Sequence, residues 1–413
     1  MKKTLLAVIM FSLVVSPDLA YGVFSTSNII ESTEPAFNNQ FGYKLDSYEH
    51  RLMIAAYSQN AYLYQNSELK KLPVPSMDKL FEPSIDITDT HMIIGYVSTN
   101  YEGFDAAGVA YLFDAEGYSM DTIFPPEPIN WGHFGSSVLL GAEYVYVGEA
   151  WADHIEVDEG KVHRYSYDGN YLDSMVPPES RYAATFGARL EGNSQCFMVS
   201  ELNGVHGMLN NGEVHIYDWN GELVHTLTPL NSTALNDFGA SLAMSTDYIV
   251  IGESIAQIED YKRAGRAYVY SMEGDLLSVL EPPDPFDGGL YGFSVAVNDE
   301  YIAVGEPRAN GVDPLEGAVH IYSLDGEYIE TIYSPLGESN SEFGKSLCFS
   351  GTKLYVGQPG ASVTLMINAG RVIEYSPTRP EPGPANMTLV YSMTIVLAAT
   401  VVLFILKMRQ DQN

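Results

Sequence analysis

The sequence predicts an all-β fold, a seven-bladed β-propeller of four-stranded antiparallel blades, and two periodic landmarks with one recurrent pattern between them predict it. An aromatic–Gly pair recurs at Phe134-Gly135, Phe186-Gly187, Phe238-Gly239, Tyr291-Gly292 and Phe343-Gly344, stepping by 52, 52, 53 and 52 residues. The glycines Gly117, Gly169, Gly221, Gly274 and Gly326 keep the same intervals. Two independent landmarks on one period mark a repeat architecture. Between them, each copy holds four short apolar runs bounded by turn residues, clearest at 291–335. Runs of this length and composition read as strands.

The elements of one copy follow in order. Residues 293–297 alternate and form a first strand, and 301–304, running into Gly305, form a second, more buried one. Residues 318–322 and 328–332 supply the third and fourth, joined at Asp325-Gly326. Asp-Gly and Asn-Gly provide the positive φ angles of a two-residue hairpin turn. The first and second strands are also tightly joined, so the unit is a meander. Prolines close the copies at Pro125-Pro126, Pro177-Pro178, Pro282-Pro283 and Pro335, where a missing N–H costs no ladder bond. A lone sheet of this size buries one face well; radial stacking covers both.

Degenerate copies at Phe41-Gly42 and Phe81 bring the count to seven. The last copy ends after 371–375 without a fourth strand, while the segment around 27–31 resembles the strand-four passage at 328–344. Residues 24–33 are therefore predicted to complete the seventh blade, which removes both exposed sheet edges.

The ends read differently from the repeats. Lys2-Lys3, an apolar run over 5–15 and Ala20-Tyr21-Gly22 form a signal peptide over 1–22. The propeller occupies 23–377, a proline-rich linker 378–387, a transmembrane helix 388–406 and a cytoplasmic tail 407–413. The apolar stretch has the length of one bilayer crossing, and Lys407 and Arg409 orient it. The expected location is the cell membrane, single-pass, with the propeller extracellular or periplasmic. A formal net charge of −32 repels nucleic acid and removes that class of partner. Cys196 and Cys348 fall in copies four and seven, too far apart around a ring to bond, and read as buried thiols.

The copies resemble FG-GAP repeats, the units of the integrin alpha-subunit propeller and of many exported microbial proteins. The resemblance rests on FGSSV at 134–138 and FGASL at 238–242, on VGEP at 304–307 and VGQP at 356–359, and on GEVHIY at 212–217 and GAVHIY at 317–322. It extends over 41–375 and implies a binding or adhesion surface more often than catalysis. It also implies calcium loops of D-x-D-x-D-G type between strands one and two. Here those joins are Gly141-Ala142-Glu143, Ser245-Thr246-Asp247 and Asn298-Asp299-Glu300, too short to wrap an ion with six or more oxygens. No cofactor is expected, calcium being conceivable only without the family's loop.

Three sets of residues are candidates for function. The first is the acid at the end of strand two: Glu149, Glu201, Glu253 and Glu306, with Gln358 at the same place. These make either a negatively charged mouth or, as repetition favours, a joint that caps backbone amides of the neighbouring Phe-Gly loop. The second is the set of long connections at 97–107, 150–160, 202–212, 254–265, 307–317 and 359–369, equivalent in position and different in sequence. Varied loops on a uniform frame carry recognition. Loop 150–160 holds Trp151, Asp153, His154, Glu156 and Asp158, the densest mixture of aromatic and ligand-capable groups. The third is His163, His215 and His320 in strand three, expected to pack across the sheet rather than to cluster round a metal.

Nucleophile elbows, zinc helices, phosphate loops and dinucleotide fingerprints are missing from any suitable context, so no catalytic residue is assigned. The expected function is a membrane-anchored binding or adhesion module for an extracellular protein or carbohydrate. The alternatives are a polysaccharide-active enzyme using an acid pair at the ring's mouth, and a structural envelope component.

Overall fold

The computed structural model describes residues 23–57, 60–75, 82–153, 155–202, 212–230, 237–311 and 313–378. They form seven four-stranded sheets, blades 1 to 7, at 41–71, 83–123, 134–175, 186–227, 241–280, 294–333 and 347–378 with 23–31. Within blades 1 to 6 the strands pair antiparallel in chain order. Phe81 and the segments predicted as signal peptide, linker beyond Thr378, membrane helix and tail lie outside the described residues. Among the described residues no helix is long and apolar enough to cross a membrane.

The seventh blade has the order Val23–Glu31, Arg371–Thr378, Lys353–Gln358, Leu347–Ser350, so both ends of the folded chain share one sheet. Ser27 Oγ donates to Glu374 Oε1 at 2.8 Å, and Phe24 packs edge-on against Tyr301 of blade 6, ring centres 5.2 Å apart. On the other side Asn28 Nδ2 donates to Tyr64 of blade 1 at 2.9 Å. The closing strand thus touches both neighbouring blades.

The core is not one mass but seven apolar seams, one between each pair of neighbouring blades. The repeated motifs are the seams' hardware. Each Phe of the Phe-Gly pair is fully buried, and its N–H donates into the preceding blade: Phe134 to Ala107, Phe186 to Glu159, Phe343 to Glu316 and, across the closure, Phe41 to Ala369, at 2.9–3.0 Å. The glycine that follows has positive φ, 86° at Gly135, and the ladder slips there between Phe134 and Ser137. Such a bulge re-aims the strand.

Two residues on, a serine hydroxyl donates to that same glycine's carbonyl in the next blade: Ser137 to Gly187 (2.6 Å), Ser241 to Gly292 (2.8 Å), Ser294 to Gly344 (2.7 Å) and Ser346 to Gly42 (2.8 Å). The strand-two glycine is needed because this carbonyl lies against it; a Cβ on Gly148 would overlap Gly187 O and Ser137 Oγ. Gly148→Val is accordingly expected to force the blade 3–4 seam apart and cost about 3 kcal/mol from overpacking and the lost serine bond. Urea unfolding of the purified chain measures it, and an unchanged midpoint would contradict the seam assignment.

Cys196 and Cys348 are buried free thiols in blades 4 and 7, and burial holds both above the ordinary thiol range.

Candidate functional site

The acids at the ends of strand two do not form an open mouth. Glu149, Glu201, Glu253 and Glu306 are at most 3% exposed. Nor do they cap the neighbouring Phe-Gly loop, a task taken by the serines and backbone carbonyls of the seams. Each engages strand three of its own blade. Glu149 Oε2 lies 2.7 Å from His163 Nε2, Glu201 Oε2 3.1 Å from His215 Nε2 and Glu306 Oε2 2.9 Å from His320 Nε2. In blade 5 the Tyr268 hydroxyl donates to Glu253 Oε2 at 2.8 Å. The physical reason is register: His163 faces Val147, so its ring lies on the same side of the sheet as Glu149, two residues along.

The far side of each imidazole meets a strand-four hydroxyl, Ser174, Thr226 or Thr331, at 2.8–3.1 Å. The histidines are therefore more than packing groups. Each is the middle of a buried polar chain that crosses strands two to four and satisfies groups a propeller blade would otherwise leave stranded. In blade 7 Gln358 instead bonds the connection from blade 6, accepting from Ser334 Oγ at 3.2 Å and donating to Ser341 Oγ at 2.7 Å. Glu201, Glu213 and His215 offer ligand atoms close enough for a metal ion, yet Arg181 supplies a cation there, 2.8 Å from Glu213 and 3.4 Å from Glu201.

The long connections between strands two and three leave the ring on one face, and 150–160 is built as a rigid platform. Glu159, 1% exposed, accepts the N–H groups of Ile155 (2.9 Å) and Glu156 (3.3 Å). Gly160 N–H bonds Ala152 O at 2.9 Å. Asp153 accepts from Asp158 N–H at 3.0 Å. Asn100 and Asn310, at the equivalent places of other blades, accept from Ala106 and Leu315 in the same way. Asp153 thus laces the loop. His154 lies outside the described residues.

Trp151, Ile155, Glu156 and Val157 are exposed, and Asp158 is half-buried. Sequence reading missed their neighbours in the connection from blade 2 to blade 3. His133 stacks on Trp151 with ring centres 4.2 Å apart, and Trp131 stands beside it at 6.4 Å. Burial between the rings lowers the His133 pKa to about 4. The signal was present three residues and one residue before Phe134, where no other copy has an aromatic ring.

The opposite face opens into the bore, a cavity of about 1000 Å³ lined by the inner strands. The residue five past each leading aromatic faces it: Asp46, Asp86 and Glu191 in blades 1, 2 and 4, and Leu139, Ala243, Ala296 and Cys348 elsewhere. Desolvation, with the neighbouring carboxylates, raises Asp46 well above the usual range. Desolvation also raises Asp86, whose carboxylate accepts the N–H of Ile87 at 2.8 Å, and lifts Glu191 to about 8 with help from Asp86.

This frame and the comparisons agree on the class of protein. Residues 222–270 match the FG-GAP repeat family. That stretch runs from the outer strand of blade 4 through the third strand of blade 5, so the family's unit straddles a seam. The described residues form a seven-bladed β-propeller, and one stretch of it is similar to the FG-GAP repeat. No curated protein matches it in sequence. Among solved structures, that of U3-55K is similar with a TM-score of 0.54 at 12% identity, covering 84% of this chain and 97% of that one. The likeness concerns the propeller fold alone.

Proposed function

We propose that this chain is an exported recognition module, held at the cell membrane by the segment 388–406, that binds an extracellular protein or carbohydrate through its loop-bearing face. The observation that carries the reading is the contrast between frame and loops. Seams and polar chains repeat from blade to blade, whereas the connections after strand two differ in sequence and, at 150–160, present exposed apolar side chains on a laced backbone. A uniform scaffold with varied rigid loops is suited to recognition. The chain has no chemistry of its own on this reading. A polysaccharide-cleaving pair drawn from Glu149, Glu201, Glu253 and Glu306 is disfavoured by their burial and their engagement with His or Tyr.

Protein and glycan arrays probed with the full chain test this. Selective binding is expected, falling about tenfold or more in Trp151→Ala, the usual loss for an aromatic anchor, with the melting temperature unchanged. Turnover of a polysaccharide that is abolished by Glu306→Gln would establish the enzyme instead. Silence in both assays would leave a structural role. A calcium titration followed by melting temperature addresses the metal, since an ion bound to the native state must raise it. Alkaline extraction of membranes from cells making the full chain or one ending at 377 checks the anchor.

A further inference from the structure

We propose that the ring cluster Trp131–His133–Trp151, with the carboxylates around it, docks an arginine- or lysine-bearing segment of a partner protein. The proposal rests on the recognition reading above and adds the place and the chemistry of contact.

Trp131 is the first observation. It has φ of 62°, and it is half exposed. The equivalent residues three before the leading aromatic are Asn38, Ala183, Gly288 and Asn340, also at positive φ. Asn and Gly enter that region readily, whereas a bulky residue there is an outlier. Tryptophan is strained at this place, where two other blades use Asn and one uses Gly, and it stays half exposed. Strain at an exposed aromatic side chain points to function.

The second observation is the geometry. His133, also at positive φ, 58°, stacks on Trp151 and meets Trp131 edge-on, and both indoles remain exposed. Trp131 N–H bonds Asp105 O at 2.7 Å and Trp151 N–H bonds Gly132 O at 3.2 Å, which fixes both backbones. The pKa of about 4 keeps His133 uncharged near neutrality, so the stack itself does not repel a cation.

The third is local charge. The three segments that build this patch, 97–107, 125–133 and 150–160, hold no Lys or Arg. They expose Glu102, Asp105, Glu127, Asp153 and Glu156. By contrast loop 254–265 on the same face carries Lys262 and Arg263. An indole face attracts a cation through its quadrupole, most strongly for tryptophan, and a guanidinium also stacks flat on it. A neutral sugar would use the rings but not the surrounding charge. Rings plus uncompensated carboxylates therefore favour a basic side chain.

The test uses fluorescence anisotropy of a short labelled peptide of alternating arginine and glycine, its citrulline-for-arginine counterpart, and labelled neutral oligosaccharides, against the full chain. The arginine peptide is expected to bind with salt-sensitive affinity, the citrulline peptide about tenfold more weakly. Trp131→Asn should lose about tenfold in affinity while keeping or raising the melting temperature, because it restores the residue other blades use. Trp151→Ala should lose as much, and Trp219→Phe, in the bore, nothing. Equal binding of the arginine peptide to Trp131→Asn and wild type would overturn the site while leaving recognition elsewhere on the face intact. Binding of oligosaccharides alone would overturn the cationic assignment, and no binding to any probe or array would remove both this proposal and the reading beneath it.

Discussion

Removing residues 23–31 is expected to leave a chain that cannot hold a closed ring. The segment supplies the outer strand of blade 7 and buries Phe24 and Ile30 to 6% and 5% exposure in the seams with blades 6 and 1. Emptying such positions costs about 3–5 kcal/mol for a Phe and about 2–5 kcal/mol for an Ile. Their sum approaches the roughly 5–15 kcal/mol that stabilises an ordinary domain. The truncation also bares the ladder of 371–378, an edge able to recruit another chain. Size-exclusion chromatography and thermal melting should show association and loss of the cooperative transition. Phe24→Ala, a milder change, should lower stability by about 3 kcal/mol. A truncated chain that melts like the parent would mean that the ring closes without its nine-residue strand and that the seam account is wrong.

The second large effect is on pH. Asp46, Asp86 and Glu191 all have folded-state pKa values raised, chiefly by desolvation in the bore. A carboxyl that holds its proton more tightly folded than unfolded favours the folded state most when protonated. Its contribution is complete below the unfolded pKa and is lost as pH rises through the folded one. For Glu191 that window runs from the ordinary glutamate value, 4.5, to about 8. Water in the bore screens part of the penalty, leaving about 2 kcal/mol. The melting temperature should fall by roughly 3–5 °C across this interval, and Glu191→Gln should flatten the slope. Lys44, beside the bore and lowered to about 8 by desolvation, acts in the opposite sense only above that pH. A profile that rises from mildly acid to mildly alkaline pH, or one unaffected by Glu191→Gln, would refute the assignment.

The frame was legible because its demands recur. A buried Phe, a bulge glycine and a close-approach glycine are required at every seam, so they stand in register along the chain. Even the closing strand could be read, since 27–31 has to satisfy the same neighbours as 328–333. The polar chains were half legible. The repeat of Glu149, Glu201 and Glu306 was plain, but their partners His163, His215 and His320 were read apart from them. All three lie 14 residues downstream of their acids, a constant spacing that two antiparallel strands and one connection impose. The bore acids escaped because Asp46, Asp86 and Glu191 occur in only some blades and gather through the ring's curvature, not through the chain. Trp131 escaped because its signal, a ring where the other copies have none, is a departure from the repeat and not part of it.

The shared seventh blade also decides how this molecule answers to tension. Its first and last strands lie side by side, with Ser27 held to Glu374 and to Ser376. A pull applied between the two ends therefore loads that single pair and reaches its bonds in succession, like a zipper, instead of straining all of them at once. The other six sheets, linked in series behind it, stay unloaded until this junction has parted.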